Sequence, residues 1–346
     1  MARAPSGSDR SPATITDVAR AADVSIKTVS RVMNEEKRVR PETRARVLEA
    51  AQALNYRPNV MARSLAAGRP FLVGLVYNNP SIHYVNAIQV GAMKRSAELG
   101  LHIVMAEPDS AENAITDLLQ LAAETRLAGL ILTPPIGDAP GLIDALLDAD
   151  MKLAVVAPAA PRAQVAQVRM DDVRAAYEIT QLLIAKGHRR IAMIKGPPSH
   201  GASHWRATGF SQALTQAGIP IDPELFATGD FSFRSALAPT EKLLRLEAPP
   251  TAIFASNDDM AAGVIATAMK LGISVPERLS VVGFDDSPIA TIVWPHLTTV
   301  RQPIAEMAAR ALDLLVAGDG EAEAEELAFD IIERGSTATP PAFVKK

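Results

Sequence analysis

The chain has 346 residues, of which 48% are hydrophobic and 21% charged, a composition typical of a soluble globular protein with two or three domains. It contains no apolar run of about 18 residues, which excludes a predicted membrane-spanning helix. It also contains no cysteine, which excludes disulfides, thiolate catalysis and cysteine-ligated zinc.

Charge is distributed unevenly along the chain. Residues 1–70 hold 13 Lys+Arg against 7 Asp+Glu, whereas the remaining residues hold 22 against 32. A basic head on an acidic body indicates that the head meets a polyanion, although a solvated charged face would give the same counts. Residues 1–13 are charged and lack an apolar centre, so we expect a disordered tail there rather than a secretory signal.

Two short helices joined by a tight turn are predicted after this tail. Apolar residues of the first helix recur at helical spacing, at Ile15, Val18, Ala19 and Ala22. Thr14 can cap this helix, Asp23 tolerates a left-handed backbone in the turn, and Ser25 can cap the second helix. The second helix is expected to bury Val29, Val32 and Met33. This pattern is typical of a helix-turn-helix, whose second helix enters the DNA major groove.

The exposed face of the second helix has the chemistry for that task. Lys27 and Arg31 can reach guanine acceptors, and Ile26 can contact a thymine methyl group. Short polar side chains suited to phosphate oxygens stand at Thr14, Thr28, Ser30, Asn34 and Thr43. Ser25 and Tyr56 complete the set predicted for this part of the DNA contact. A three-helix packing module with a polar exterior is the alternative.

A third helix is predicted over residues 41–54, with Val47, Leu48, Ala51 and Leu54 buried. Pro58 ends this pattern, and Asn59 can cap a further helix over residues 60–67. A helix of under three turns is marginal in water by itself. We therefore expect this segment to fold conditionally, when DNA is bound.

The segments ITDVARAADVSIKTVSRVMN and NYRPNVMARSL resemble the lactose-repressor family of bacterial transcription regulators (LacI/GalR type). In that family the short segment is a hinge helix, and two hinge helices of a dimer pair in the minor groove at the operator centre. The resemblance implies that Leu65 is an apolar wedge between bases, with Ala62 and Asn59 beside it. Such a wedge unstacks a base step at a cost of a few kcal/mol; ordinary linker packing of Leu65 is the alternative.

Residues after 70 alternate between strand-like and helix-like stretches, which predicts an α/β fold of parallel sheets flanked by helices. Buried strands are predicted at 71–76, 101–105, 129–133, 152–156, 190–194, 251–255 and 279–284. Helices are predicted near 85–99, 112–127, 141–149, 172–186, 203–217, 232–245 and 258–271. Two successive units of this kind indicate two lobes with a cleft at the carboxyl ends of their strands.

The resemblance extends over this region, to about residue 335, through LIAKGHRRIAMIKGP, ASNDDMAAGVI, LSVVGFDDSPIA and LTTVRQP. It implies a periplasmic-binding-protein-like core in which the chain crosses between lobes near residues 170, 298 and 330. We therefore expect a DNA-binding domain at 14–57, a hinge and linker at 58–70, and a two-lobed effector and dimerisation domain at 71–338. The first lobe would hold about 71–169 and 299–329, and the second about 170–298 and 330–338.

Candidate effector-binding residues lie in or near loops that follow the predicted strands. Amide, carboxylate, guanidinium and aromatic groups there suit a hydroxylated ligand, at Asn78, Arg206, Phe231, Asn257 and Asp285. The resemblance adds Ile82, Tyr84 and Gln302. His204 stands where many sugar-responsive members carry Arg, so the effector cannot be transferred from a relative. For Asp258 and Asp286 we expect capping of the following helix or turn instead of ligand contact.

Signals for an enzyme are missing. The chain has no G-x-G-x-x-G, no G-x-x-x-x-G-K-[ST] and no G-x-S-x-G motif. His200 and His204 have helical spacing but no companion Glu on a convincing helix, so no zinc site is expected. A transport-type sugar-binding protein is a third class, which the basic head and the absent secretory signal disfavour.

The sequence thus predicts a non-enzymatic, homodimeric regulator, cytoplasmic and nucleoid-associated, that needs no cofactor. Its partners would be a near-palindromic double-stranded operator and a small effector, a sugar or sugar derivative such as a disaccharide. We expect a repressor of carbohydrate-utilisation genes. A regulator that depends on a purine or other nucleobase corepressor is the main alternative, followed by a sugar-binding protein or an enzyme without a DNA role.

Overall fold

A computed structural model describes residues 13–33, 38–56, 71–317 and 323–341 of the chain. The chain divides into two compact units, Met1–Pro70 and Phe71–Lys346. Each unit has its own hydrophobic core.

The first unit contains the three predicted helices, α1 (Ile15–Ala21), α2 (Ile26–Met33) and α3 (Pro41–Ala53). Val18, Val29 and Val47, one from each helix, are fully buried at the centre of its core. Asp23 has a φ of 51° in the turn between α1 and α2, so the predicted left-handed residue is confirmed.

Two leucines of the third helix are more exposed than predicted. Leu48 is 50% exposed and Leu54 is 38% exposed, whereas Val47 and Ala51 are buried. Val47 and Ala51 lie four residues apart on one helical stripe, and Leu48 is about 100° further round the helix. The apolar face of α3 is therefore narrower than its composition indicates, and the prediction for Leu48 and Leu54 was wrong.

The first lobe of the second unit is built on a six-stranded parallel sheet in the order β11-β5-β4-β3-β1-β2. Its strands are β1 (Leu72–Val76), β2 (His102–Ala106), β3 (Leu127–Leu132), β4 (Leu153–Val156), β5 (Ala166–Met170) and β11 (Ala324–Leu327). Four helices flank it: α4 (Ile82–Leu99), α5 (Ala111–Glu124), α6 (Leu142–Asp148) and α12 (Ile304–Ala317).

The second lobe is built on a four-stranded parallel sheet in the order β7-β6-β8-β9. Its strands are β6 (Ile191–Lys195), β7 (Phe226–Thr228), β8 (Ala252–Ala255) and β9 (Ser280–Val282). Its helices are α7 (Asp172–Ala185), α8 (Gly201–Gln216), α9 (Leu237–Leu244), α10 (Asp258–Lys270) and α11 (Ile289–Ile292). An antiparallel pair, β10 (Thr299–Arg301) and β12 (Asp330–Ile332), adjoins this sheet through the bridge between Val282 and Thr298.

The chain passes between the lobes at three places. It leaves the first sheet after β5, returns to the first lobe after β10, and leaves again between β11 and β12. The second passage comes after Arg301, a few residues beyond the expected 298, because β10 pairs with β12 and Arg301 bridges to Asp285.

Several elements were not named from the sequence, namely β5, β7, β10, β11, β12, α11 and α12. The short strands are partly polar, and β11 (AEEL) alternates exposed and half-buried residues at the sheet edge. Only α12 had a readable signal, since Ile304, Met307, Ala308 and Ala311 are buried at helical spacing. None of the helices in the described part of the chain combines the length and apolar character needed to cross a bilayer.

Candidate functional site

The first candidate site is the exposed face of α2 in the first unit. Its start is well defined, because the Ser25 hydroxyl accepts from the Thr28 backbone N–H at 3.2 Å. The preceding α1 begins with a capping box in which Thr14 and Asp17 each accept a backbone hydrogen bond from the other. Both helices therefore begin at a definite residue, which fixes the direction in which α2 presents its first turn.

Six of the predicted DNA-contacting residues lie on or beside this first part of α2. Ile26 is 49% exposed although it is apolar, and Lys27 and Arg31 are exposed cations on the same helix. Ser25 is exposed, while Thr28 and Ser30 are half-buried. The three side chains predicted to contact base edges, Ile26, Lys27 and Arg31, are thus more exposed than Thr28 and Ser30.

The other predicted DNA-contacting residues are more dispersed. Thr14 is exposed at the start of α1, and Thr43 is half-buried in the first turn of α3. Tyr56 is half-buried and packs against the core of the unit, and burial raises the pKa of its hydroxyl. Asn34, Asn59, Ala62 and Leu65 lie outside the described residues, as does the predicted hinge helix.

The second candidate site is a pocket in the cleft between the two lobes of the second unit. Residues of both lobes line it, among them Ser81 and Tyr84 of the first lobe and Trp205 and Phe231 of the second. Six predicted effector residues lie in its wall: Tyr84, Arg206, Phe231, Asn257, Asp285 and Gln302.

Arg206 organises the polar side of the pocket. Its Nε donates to Asp172 at 2.8 Å and its Nη1 donates to the Ser256 carbonyl at 2.5 Å. The guanidinium carbon lies 3.7 Å from the centroid of the Phe284 ring, a cation–π contact. Since the residue is only 4% exposed, these contacts hold the guanidinium in one position.

Asp285 lies beside this guanidinium, with its Oδ1 3.8 Å from Nη1 of Arg206. Its Oδ1 also accepts from Gln302 Nε2 at 2.5 Å. Burial raises the pKa of the Asp285 carboxyl to about 7, against the lowering effect of Arg206 and Gln302. The residue has a φ of 116°, a strained conformation for a side-chain-bearing residue, which its N–H stabilises by donating to the Val300 carbonyl.

Asn257 and Phe231 form one connected part of the wall. The Asn257 side chain caps α10 by accepting from the Met260 N–H at 2.9 Å, and its Nδ2 donates to the Phe231 carbonyl at 2.8 Å. A Cβ added at Gly196 would stand 2.2 Å from Cζ of Phe231, so the ring lies where only glycine leaves room. Both polar atoms of Asn257 are thus already used within the protein.

Three residues predicted to bind the effector lie outside the pocket. Asn78 donates to the Pro108 carbonyl at 2.9 Å, Ile82 is 75% exposed, and His204 lines a shallow surface groove with Thr208 and Ser211. Ile82 and His204 each stand two residues before a pocket residue on a helix, a rotation of about 200°. The expectation that these three share a site with Asp285 is therefore corrected.

Asp258 and Asp286, for which capping was expected, have structural partners. Asp258 is fully buried and accepts from the Thr299 hydroxyl at 2.6 Å and the Ser287 N–H at 2.7 Å. Asp286 pairs with Arg301 at 2.8 Å and with Arg334 at 2.6 Å. Both carboxylates hold the β10 and β12 region against the second lobe, and neither lines the pocket.

Other residues of the pocket wall were not predicted from the sequence. They include Ser81, Arg169, Asp171, Asp172, His200 and Glu326. Asp171 could have been found from the sequence, because it directly follows β5 and its side chain caps α7. Arg169 and Glu326 had none, because they stand on β5 and β11, two partly polar strands that the pattern of apolar residues does not predict.

The lobes also touch beside the pocket. The Ser81 hydroxyl donates to Asp259 Oδ2 at 3.4 Å, and Nε2 of His83 lies 3.6 Å from Asp259 Oδ1. A Cβ on Gly201 would lie 2.5 Å from Cβ of Ala159, so α8 starts directly against the first lobe.

Among residues 13–33, 38–56, 71–317 and 323–341, no cluster of side chains suited to holding a metal ion occurs.

Comparison with known proteins assigns each unit to a known family. Residues 14–59 match the model of bacterial regulatory proteins of the lacI family, and residues 180–337 match a periplasmic binding protein-like domain. Catabolite control protein A of Priestia megaterium is 33% identical over 303 residues, 87% of this chain and 91% of that protein. The helix-turn-helix-type transcriptional regulator DegA of Bacillus subtilis is 36% identical over 298 residues, 86% of this chain and 88% of that protein.

Solved structures show the same relationship. A complex of the transcriptional regulator CelR with cellobiose is 31% identical, with a TM-score of 0.71, and the match covers 94% of this chain and 99% of that chain. The lac repressor dimer bound to operator and an anti-inducer is 28% identical, with a TM-score of 0.83, covering 95% and 100%. The predicted fold class is confirmed, as is the prediction of a family of DNA-binding regulators rather than enzymes.

Proposed function

The chain belongs to the lacI family of bacterial regulatory proteins, and from that membership we propose that it is a DNA-binding transcriptional repressor controlled by a small carbohydrate in the cleft of its second unit. One observation carries this proposal. The same chain holds a capped helix with an exposed basic and polar face, and a pocket lined by hydrogen-bonding groups of two lobes. Such a repressor needs two parts, a DNA-binding domain and a small-molecule binding site.

We propose that α2 reads a half-site in the major groove. Lys27 and Arg31 would bond to guanine, Ile26 would contact thymine methyl groups, and the short hydroxylated side chains would hold phosphates. Residues 59–67 would form the hinge at the centre of the operator, with Leu65 between bases. An effector could then change repression only by binding the two states of the second unit with unequal affinity.

A homodimer would present two such heads to a near-palindromic operator. Exposed apolar side chains of the second unit support this part of the proposal. Ile82, Val90 and Met93 are 75%, 53% and 60% exposed within one arc of α4. Ile292 and Trp294 are 75% and 79% exposed near α11. Large apolar side chains in water at this density are typical of an association surface.

The pocket supports a carbohydrate as the effector. Phe231, Trp205, Pro134 and Pro158 contribute apolar surface, and carboxylate, amide, guanidinium and hydroxyl groups stand around them. A sugar has an apolar ring face and a rim of hydroxyls, so both kinds of wall are needed to bind it. Carbohydrate-utilisation genes are accordingly the proposed targets.

The DNA part of the proposal is tested by selecting bound sequences from random double-stranded DNA with the full-length chain. We expect enrichment of a near-palindromic sequence, bound with an affinity that falls steeply as salt rises, because Lys and Arg displace counterions from phosphates. Recovery of no enriched sequence would contradict the proposal.

The effector part is tested by thermal shift against sugars and nucleobases. A ligand at about 100 times its dissociation constant should stabilise the protein by roughly 2.7 kcal/mol. Asp285→Ala should abolish the sugar response and leave operator binding intact. Stabilisation by a nucleobase alone would indicate a corepressor-dependent regulator instead.

A further inference from the structure

Two buried polar atoms in the wall of the cleft pocket have no hydrogen-bond partner among the residues that the structure describes. They are Oη of Tyr84 and Nε2 of His200, on side chains of residues that are 7% and 5% exposed. A buried polar atom without a partner is destabilising, since it has lost water and gained nothing in exchange. Both residues line the same cavity, so a ligand that comes within hydrogen-bond distance of the two atoms would supply both missing hydrogen bonds.

The two groups come from opposite sides of the cleft. Tyr84 belongs to α4 of the first lobe, and His200 immediately precedes α8 of the second. The Arg206 guanidinium acts on both, because its charge lowers the pKa of each side chain. Arg206 lines the same cavity, so a ligand that bonds to Tyr84 and His200 would lie near its guanidinium and join the two lobes.

Both groups are uncharged at neutral pH. Burial, helped by the nearby Arg206, lowers the pKa of His200 to about 4, and burial raises the pKa of Tyr84. A phenol hydroxyl can donate and accept, and Nε2 of a neutral imidazole either donates or accepts according to the tautomer, which suits a sugar hydroxyl. They offer a carboxylate or phosphate no compensating charge.

The charged groups of the pocket wall also favour an uncharged ligand. Its guanidiniums are already paired, Arg169 with Glu326 at 3.1 Å and Arg206 with Asp172 at 2.8 Å. Asp171 and Asp285 also line the cavity, so four carboxyl groups face two guanidiniums. An anionic ligand would meet net negative charge there, with both lining cations already engaged.

We propose that the effector is an uncharged, hydroxyl-rich sugar whose hydroxyls bond to Tyr84 Oη in one lobe and His200 Nε2 in the other, and that acid sugars and sugar phosphates are excluded. This inference rests on the proposed function and narrows the class of its effector. Tyr84 and His200 then determine specificity, because the described residues of the protein give neither polar atom a hydrogen-bond partner.

The test is calorimetric titration of the full-length protein with cellobiose and a panel of other neutral mono- and disaccharides. Each neutral sugar that binds is compared with its uronate and its 6-phosphate. The variants are Tyr84→Phe, which removes one oxygen, and His200→Ala. His204→Ala is the matched control, because it removes an imidazole on α8 that faces the surface groove.

We expect a neutral sugar to bind at least about tenfold more tightly than either anionic counterpart, a difference of about 1.4 kcal/mol. Tyr84→Phe and His200→Ala should each weaken binding by about tenfold or more, and His204→Ala should leave it unchanged. Tyr84→Phe should also raise the melting temperature of the sugar-free protein, which loss of an already satisfied structural hydroxyl would not do.

Tighter binding of a uronate or phosphate would overturn the inference, as would unchanged sugar affinity in both pocket variants. Binding of no neutral sugar by a protein that still selects a specific DNA sequence would overturn it too, and would leave the DNA-binding function standing. Failure of the unmodified chain to select DNA contradicts the proposed function itself, so the two failures are distinct.

Discussion

At the scale of single residues, the pocket places chemically similar groups in very different environments. Asp285 and Asp286 are neighbours, yet Asp286 pairs with Arg301 and Arg334, whereas the Asp285 carboxyl has only a more distant Arg206 and one amide donor. Burial without a close ionic partner favours the protonated acid. The pocket therefore holds a carboxyl that titrates near neutrality.

The burial of Asp285 predicts that ionisation of its carboxyl lowers the free energy of unfolding of the protein. Its pKa is raised from 3.8 to about 7, so the contribution of this one group to stability is highest below about pH 4 and falls as pH rises toward 7. At 1.36 kcal/mol per pKa unit the loss is at most about 4 kcal/mol. Asp285→Asn should match the parent in free energy of unfolding only below about pH 4, exceed it increasingly as pH rises to about 7, and keep a constant advantage at higher pH.

Urea denaturation across this pH range measures the difference. Asp117→Asn, on the exposed face of α5, is the control for loss of one negative charge. An Asp285→Asn difference that does not change with pH would show that folding leaves the pKa of this carboxyl unshifted, which contradicts the effect expected from burial.

At the scale of elements, the packing of α7 on α8 sets the orientation of Arg206. A Cβ added at Gly209 would stand 2.0 Å from the Val173 carbonyl oxygen and 2.9 Å from the Tyr177 nitrogen. The two helices are thus in backbone contact at that point. Asp172 at the start of α7 meets Arg206 of α8 one turn away.

Gly209→Ala should therefore separate the helices and disturb the pocket together with the core. Overpacking of this kind costs about 1–3 kcal/mol, and sugar binding should weaken as the pairing of Arg206 with Asp172 loosens. Chemical denaturation and titration of the same samples measure the two effects. Gln212→Ala, at an exposed position of α8, is the control and should change neither stability nor sugar binding. If Gly209→Ala also left both unchanged, α7 could shift away from α8 without loss of stability or of the pocket.

The first turn of α2 gives a second prediction at this scale. Lys27→Ala should relax the preference for a particular base in each half-site by about 1–3 kcal/mol, because one direct base contact is lost. Repeating the DNA selection with the variant measures this change. Equal weakening on all sequences would make Lys27 a phosphate contact.

At the scale of the whole molecule, the apolar side chains near α11 predict a dimer. Trp294→Glu places a charge on a side chain that is 79% exposed, so the monomer fold should tolerate it while association should not. Analytical ultracentrifugation should show a shift from dimer to monomer at micromolar concentration. Binding to a full palindromic site should then fall toward that of one half-site.

Ile221→Glu is the control, since Ile221 is also an exposed apolar residue, at 47%. It should leave both sedimentation and DNA affinity unchanged. A Trp294→Glu protein that sediments as the unmodified chain does would remove this surface from the proposed interface.

The sequence by itself determined the elements that depend on local periodicity and local chemistry. Strands such as β1 and β8 follow from continuous apolar runs, and the turn of the first unit follows from Asp23 and the cap at Ser25. These signals are local because hydrogen bonds and burial within one element need only neighbouring residues. The family resemblance added the roles of segments such as the hinge, which periodicity does not contain.

Only the tertiary structure decided which side chains share the pocket. Arg206 and Tyr84 point into it, while His204 and Ile82, two residues earlier on the same helices, face away. The rotation of α8 about its axis is set by the close approach of Gly209 to α7, a contact between distant parts of the chain. The unpaired state of Tyr84 Oη and His200 Nε2 likewise could not be predicted from the sequence. Whether a polar atom has a hydrogen-bond partner depends on which distant residues surround it in the folded chain.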